Sequence, residues 1–247
     1  MKPELDKLQL FPDEATSGCN GECVGFTRSD IVGNIIGQPC DLEYAYASGL
    51  WMSGSEPTTA GEDFYAGMAA NLVVGDLLVS EETFNAQSKG QLYDANFSNY
   101  PADQVTEAQK NSMGGVSYLN SYAAIDSYLA KKIAGVPMVM QWYESFMVPN
   151  SDGTLPAPSG TFTEHCVGIW QSDSKGLLLK PYVNPGNIKV PTWGINGYCY
   201  LTEANYNLVN PSALGFNTQA SALLQWISLV QLWLAYPAAR STIWPLL

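Results

Sequence analysis

Positive charge is scarce in this sequence, and its scarcity excludes two classes of partner. The 247 residues include 11 lysines and arginines against 23 aspartates and glutamates, which gives a formal net charge of −12 at pH 7. Binding to nucleic-acid backbones or to anionic membranes depends on clustered lysine and arginine side chains. We therefore expect neither nucleic acid nor a membrane surface as a partner.

Motifs for metals and nucleotides are also missing. The sequence has no Cys-x-x-Cys pair, no His-Glu-x-x-His sequence, no phosphate-binding glycine loop and no dinucleotide-binding fingerprint. We therefore expect no metal and no nucleotide cofactor.

Cysteine and histidine are few. The five cysteines are an odd number in a chain of this size, which does not fit a disulfide framework, so at least one thiol is expected to be free. The chain has one histidine, His165. If the protein uses a thiol or hydroxyl nucleophile with an imidazole base, that base must be His165.

Long hydrophobic runs are absent. Residues 1–6 lack the apolar region of a Sec-type signal peptide, and no run reaches the roughly 18 apolar residues of a membrane span. We expect a cytoplasmic or particle-associated protein. Residues 219–236 are strongly apolar, but Gln225, Ser228 and Gln231 interrupt the apolar run and Pro237 stops it. They predict a helix that packs on the core or binds a protein partner, with membrane contact as the third alternative.

What is present divides the chain into a helical half and a β half. Helices are predicted over residues 24–36, 41–52, 62–74 and 122–134. The polar, asparagine-rich residues 92–115 predict a long loop. Short β-prone runs follow over residues 139–143, 166–170, 177–182 and 197–201. Because turn residues separate these runs, they predict an antiparallel sheet or barrel.

Cys23 lies at the start of the first predicted helix. The unpaired N–H groups and the positive dipole end of a helix favour the thiolate, which is the reactive form of cysteine. Cys23 is therefore the candidate nucleophile. Cys40 also precedes a predicted helix and is its rival, but choosing Cys40 leaves residues 19–36 without a role.

His165 lies at the mouth of a predicted strand, where a rigid element can hold an imidazole. Asn184 follows it by 19 residues. An asparagine amide can accept the imidazole N–H and fix the tautomer of the ring, which is the third role in a Cys-His-Asn arrangement. Cys23, His165 and Asn184 thus form a candidate catalytic triad.

Three motifs in this order resemble those of papain-like cysteine peptidases. Cys-Val-Gly-Phe-Thr at residues 23–27 is similar to the family's Cys-aromatic-Ala-Phe-Ser sequence, which opens its central helix. His-Cys-Val-Gly at residues 165–168 is similar to its His-Ala-Val strand. Asn184, followed by Trp-Gly-Ile-Asn-Gly-Tyr at residues 193–198, is similar to the family's asparagine segment and its Trp-Gly-Glu-Asn-Gly-Tyr. The resemblance covers about residues 15–205 and identifies the chain as a divergent member.

The resemblance implies an α+β, papain-like fold with two lobes. Residues 19–115 would form the N-terminal helical lobe, and residues 116–215 would form an antiparallel, β-barrel-like lobe carrying the histidine and the asparagine. Residues 1–18 would be an N-terminal arm, and residues 216–247 an apolar C-terminal helical extension.

The resemblance also implies a thiol hydrolase that cleaves peptide or amide bonds. Ser17 stands where the family has the glutamine of its oxyanion hole, and Trp193 and Gly194 would line the substrate cleft. A peptide or protein would be the substrate. The alternative is a catalytically silent papain fold that serves as a structural or binding part of an assembly, such as a phage particle. An amidase or transpeptidase acting on cell-wall peptides would share the same chemistry.

Overall fold

The computed structural model describes residues 23–55, 61–78, 96–131, 134–181, 193–195 and 197–218. The chain divides into two compact units, which are described separately here. The described residues up to 116 and from 216 onward belong to the first unit, and residues 117–215 belong to the second. The predicted N-terminal arm and the predicted apolar helix over residues 219–236 lie outside the described residues.

The first unit is helical. Its elements are α1 (Cys23–Ile36), α2 (Leu42–Ser53), α3 (Phe64–Val74), a short 3-10 turn (Phe97–Asn99) and α4 (Ala102–Gln109). The carboxylates of Asp41 and Asp63 accept backbone N–H bonds at the starts of α2 and α3, and the backbone N–H of Gly75 donates to the end of α3. The first three predicted helices are confirmed, and their starts shift slightly because these aspartates are caps rather than helical residues.

The prediction of a loop over residues 92–115 is wrong in part, because this stretch contains α4. Only Gln104 and Ala108 of α4 are buried. The remaining residues of α4 are mostly polar and lie outside the core. This polar composition concealed the helix in the sequence.

Six strands form the sheet. They are β1 (Gly115–Tyr118), β2 (Val136–Tyr143), β3 (Phe162–Asp173), β4 (Gly176–Lys180), β5 (Cys199–Leu201) and β6 (Ser212–Asn217), in the order β1-β6-β2-β3-β4-β5. The pairs of β2 with β3 and β6, and of β4 with β3 and β5, are antiparallel. All four predicted strands are confirmed. In the described part of the chain the sheet is open rather than a closed barrel, with β1 and β5 at its edges.

Two helices accompany the sheet, α5 (Tyr122–Ala130) and α6 (Glu203–Tyr206). The predicted helix over residues 122–134 is too long, because α5 ends with Lys131 as its C-cap. Gly135, beyond the end of α5, packs against the ring of Trp170, where a β-carbon would lie 2.9 Å from a ring carbon.

The long β2–β3 pair is the centre of the second unit. It pairs Val136 with Ile169 and Met138 with Val167, and all four side chains are fully buried. Among the described helices, none has the length and apolar character needed to cross a membrane.

Candidate active site

Cys23 is the first described residue of α1, and its side chain is buried. The hydroxyl of Thr27 donates to the carbonyl of Cys23 at 2.7 Å, four residues back along the helix. Cys23 therefore lies in the first described turn of α1.

Close backbone contact fixes the start of α1 against α2. A β-carbon at Gly25 would lie 3.1 Å from the Cα of Tyr46, a spacing tighter than ordinary side-chain contact. Glycine at residue 25 therefore allows the two helices to approach, two residues beyond the candidate nucleophile.

A buried ion pair ties α1 to the rest of the first unit. The guanidinium of Arg28, which is fully buried, donates to Asp76 Oδ1 from Nε at 3.0 Å and from Nη2 at 2.7 Å. Nη1 donates to the Gly67 carbonyl on α3 at 2.6 Å, and Nη2 donates to Ser48 Oγ on α2 at 2.7 Å. One side chain thus connects three helices through charge-assisted bonds, which are the strong ones.

Glu62 places a second acid beside this ion pair. Its side chain is buried, and within the described part of the chain neither carboxyl oxygen has a hydrogen bond of ordinary geometry. Burial raises the pKa of Glu62 well above its usual value and Asp76 adds to the rise, whereas Arg28 and the Gly25 N–H oppose it. Because Arg28 already pairs with Asp76, this surrounding favours the neutral form of Glu62.

The sequence interpretation missed this cluster, although one signal was present. An arginine at residue 28, in a helix predicted from its apolar spacing to pack on the core, indicates a cation that needs an acidic partner. Nothing in the local sequence says which acid that is.

His165 lies on β3 and is 4% exposed. Its Nε2 is hydrogen-bonded to the main-chain carbonyl of Pro181. Because a carbonyl oxygen only accepts, Nε2 must carry the hydrogen, and Nδ1 of the neutral ring then carries the lone pair. The imidazole is therefore prepared to act as a base through Nδ1.

The indole of Trp142 packs against this imidazole. The two ring centroids are 5.3 Å apart and the ring planes are inclined by 73°. Trp142 is itself 6% exposed and belongs to the core of the second unit. Sequence reasoning did not single out Trp142, because its contact with His165 depends on the pairing of two strands.

The other predicted site residues are only partly described. Trp193 and Gly194 line a pocket of about 480 Å³ in the second unit, and the Trp193 indole N–H donates to the Phe146 carbonyl at 3.2 Å. Ser17 and Asn184 lie outside the described residues. Cys23 and His165 belong to different units, so each is placed only within its own.

The remaining described cysteines do not match Cys23 in position. Cys40 precedes the α2 cap and forms an isolated β-bridge with Leu78, so it is not a first-turn residue. Cys199 donates its thiol to the Gly153 carbonyl at 3.0 Å, and burial raises its pKa to about 12. The described residues contain no group of three or more histidine, cysteine and acidic side chains arranged for a metal.

This architecture is the papain-like fold, and solved cysteine proteases share it. Xylellain, a cysteine protease from Xylella fastidiosa, is 12% identical, with a TM-score of 0.63 over 86% of this chain and 85% of xylellain. The Carica candamarcensis cysteine protease CMS1MS2, solved in complex with E-64, is 14% identical, with a TM-score of 0.53 over 83% of this chain and 95% of its own. Digestive procathepsin L 3 from the Tenebrio molitor larval midgut is 13% identical, with a TM-score of 0.53 over 82% of this chain and 67% of its own.

The sequence itself matches no protein-family model and no curated protein. The likeness to these proteases is therefore one of fold. The papain-like resemblance and the α+β fold class predicted from the motifs are confirmed at that level.

Proposed function

We propose that this protein is a papain-like cysteine peptidase in which Cys23 is the nucleophile and His165 is the general base. The observation that carries the proposal is the state of His165, whose Nε2–H is bound by a carbonyl so that Nδ1 is available to take a proton. The position of Cys23 at the start of α1 and the fold shared with cysteine proteases support it.

The reaction would proceed by acyl transfer. Nδ1 of His165 takes the thiol proton, and Sγ of Cys23 forms a bond to the carbonyl carbon of a peptide or amide. The imidazolium then protonates the amine as the C–N bond breaks, which leaves a thioester. Water, deprotonated by Nδ1, attacks the thioester carbonyl, and the C–S bond breaks to restore the thiol.

The negative charge on the oxygen of the tetrahedral intermediate needs hydrogen-bond donors to stabilise it. We propose the backbone N–H of Cys23 as one, with Ser17 as the second, because a donor next to the nucleophile can reach the oxygen on the attacked carbon. Trp193 and Gly194 are proposed to form part of the substrate cleft, and the pocket that they line is the supporting observation.

Cleavage of an unfolded protein tests the proposal without knowledge of the natural substrate. We expect the native chain to hydrolyse denatured casein, and Cys23→Ala to abolish hydrolysis because no other described cysteine opens a helix. Cys40→Ala is the matched control and should retain activity. If Cys40→Ala rather than Cys23→Ala is inactive, the nucleophile is misassigned. No hydrolysis and no selective alkylation of Cys23 would favour the silent, structural alternative.

A further inference from the structure

We propose that the main-chain carbonyl of Pro181 and the indole of Trp142 together position the imidazole of His165. The inference rests on the proposed function, since orientation matters only if His165 is the base. It differs from a Cys-His-Asn triad, in which an asparagine side chain accepts the imidazole N–H.

The first step concerns the position of Pro181 at the end of β4. The β3–β4 ladder pairs Gly168 with Lys180, the last residue of β4, and Pro181 follows directly. Proline has no backbone N–H, so it cannot continue the donor pattern of the ladder. The strand ends there, and the Pro181 carbonyl accepts from Nε2 of His165.

The chemical consequence is a fixed tautomer. A main-chain carbonyl does the same work as an asparagine carbonyl oxygen, because both accept the Nε2 hydrogen and neither donates to it. A peptide oxygen at the end of a paired strand has no side-chain torsions to lose. The Pro181 carbonyl can therefore orient the imidazole of His165, as an asparagine side chain does in a Cys-His-Asn triad.

The second step concerns the register of β2 and β3. Met140 is directly opposite His165, and Trp142 is two residues farther along β2. Side chains two residues apart share a face of the sheet, and a diagonal neighbour is within reach of an aromatic ring. The register thus brings the indole to the imidazole at 5.3 Å between centroids.

The third step concerns the rigidity of Trp142. Its ring packs edge-on against the ring of Phe146, with the two centroids 5.5 Å apart. The centroid of the Trp193 ring is 5.9 Å from that of Trp142. Among the described residues, none accepts a hydrogen bond from the buried Nε1 of Trp142, and the described contacts of the ring are packing contacts. A fixed indole on one side and a fixed carbonyl at Nε2 leave the imidazole little freedom to rotate.

The single histidine makes a direct test possible, because every imidazole signal in the chain belongs to His165. We would record long-range ¹H–¹⁵N spectra of a Cys23→Ala variant at a pH where the imidazole is neutral. We expect a pure Nε2–H tautomer, an Nε2–H proton protected from solvent exchange, and nuclear Overhauser contacts to the Trp142 indole. A tautomer mixture with fast exchange would overturn the role of Pro181, and missing indole contacts would overturn that of Trp142.

Variants of Trp142 then test the indole. With Cys23 present, the readout is the rate of thiol alkylation. Trp142→Leu should lower that rate by at least about tenfold, as expected when a reacting group is misplaced. Trp142→Phe, which keeps an aromatic face, should recover most of it.

The matched control is Trp170→Leu, the same change on β3 about 16 Å along the strand from His165. It should leave the imidazole signals and the alkylation rate unchanged. The inference fails if the Nε2–H proton is unprotected or if Trp142→Leu behaves like Trp170→Leu. Because the tautomer is read in Cys23→Ala, loss of the proposed enzyme activity would leave this test intact, so the two failures are distinguishable.

Discussion

Replacing Glu62 by glutamine should stabilise the first unit at neutral pH. The carboxyl of Glu62 is buried beside an ion pair that is already complete, between Arg28 and Asp76. Burial raises its pKa well above the ordinary value of 4.5. Folding at neutral pH must therefore return a proton to a side chain that the unfolded chain would leave ionised.

The sign and size of the effect follow from linkage. Below the ordinary pKa of glutamate both states are protonated, and Glu62 carries no penalty. As the pH rises above that value, the free energy of unfolding falls by about 1.4 kcal/mol per pH unit until the folded-state pKa of Glu62 is reached. Glutamine has no ionisable proton, so the free energy of unfolding of Glu62→Gln does not fall for this reason. Asp76 titrates in both proteins, so the difference between them isolates Glu62.

Hydrogen exchange of peptides from α2 and α3, measured from about pH 4 to pH 8, reports the opening free energy of the first unit. We expect the advantage of Glu62→Gln to grow with pH across this range. Glu107→Gln is the matched control, because Glu107 is exposed and pairs with Lys110 on the surface of α4. Such a pair contributes about 0–1 kcal/mol. Parallel pH curves for native and Glu62→Gln would refute the reasoning.

Two further predictions concern buried groups. Arg28→Met should destabilise the first unit by about 3–5 kcal/mol in urea unfolding, because Asp76 would remain buried without its cation; a loss below about 1 kcal/mol would mean that the pair adds little. Cys199, whose pKa rises from 9.0 to about 12, should carry about 1,000-fold less thiolate than an ordinary cysteine at pH 7. Mass-spectrometric alkylation should then leave Cys199 unmodified at pH 7, and rapid labelling there would contradict its burial.

The elements that the sequence predicts well are those specified by local signals. Asp41 and Asp63 begin α2 and α3 because their side chains cap the helices within three residues. Gly75 ends α3 for a similarly local reason. The short helix α4 was missed because most of its residues are polar.

The features of the site that the sequence does not predict depend on tertiary structure. Arg28 and Asp76 are 48 residues apart, and nothing local selects that acid over another. Trp142 reaches His165 only through the β2–β3 register. The Pro181 carbonyl leaves no sequence signal at all, because almost any residue could supply the same oxygen. A search for side-chain motifs finds Asn184 and overlooks a backbone partner.

The dependence of Cys23 reactivity on His165 tests the account most directly. The second-order rate of Cys23 alkylation by iodoacetamide at pH 7 should be measured in the native chain and in His165→Ala, with Cys40 as the internal reference. We predict a loss of about 100-fold at Cys23 in His165→Ala, the scale of positioned proton transfer, with the rate at Cys40 unchanged. Equal rates at Cys23 in the two proteins would contradict the proposed Cys23–His165 chemistry.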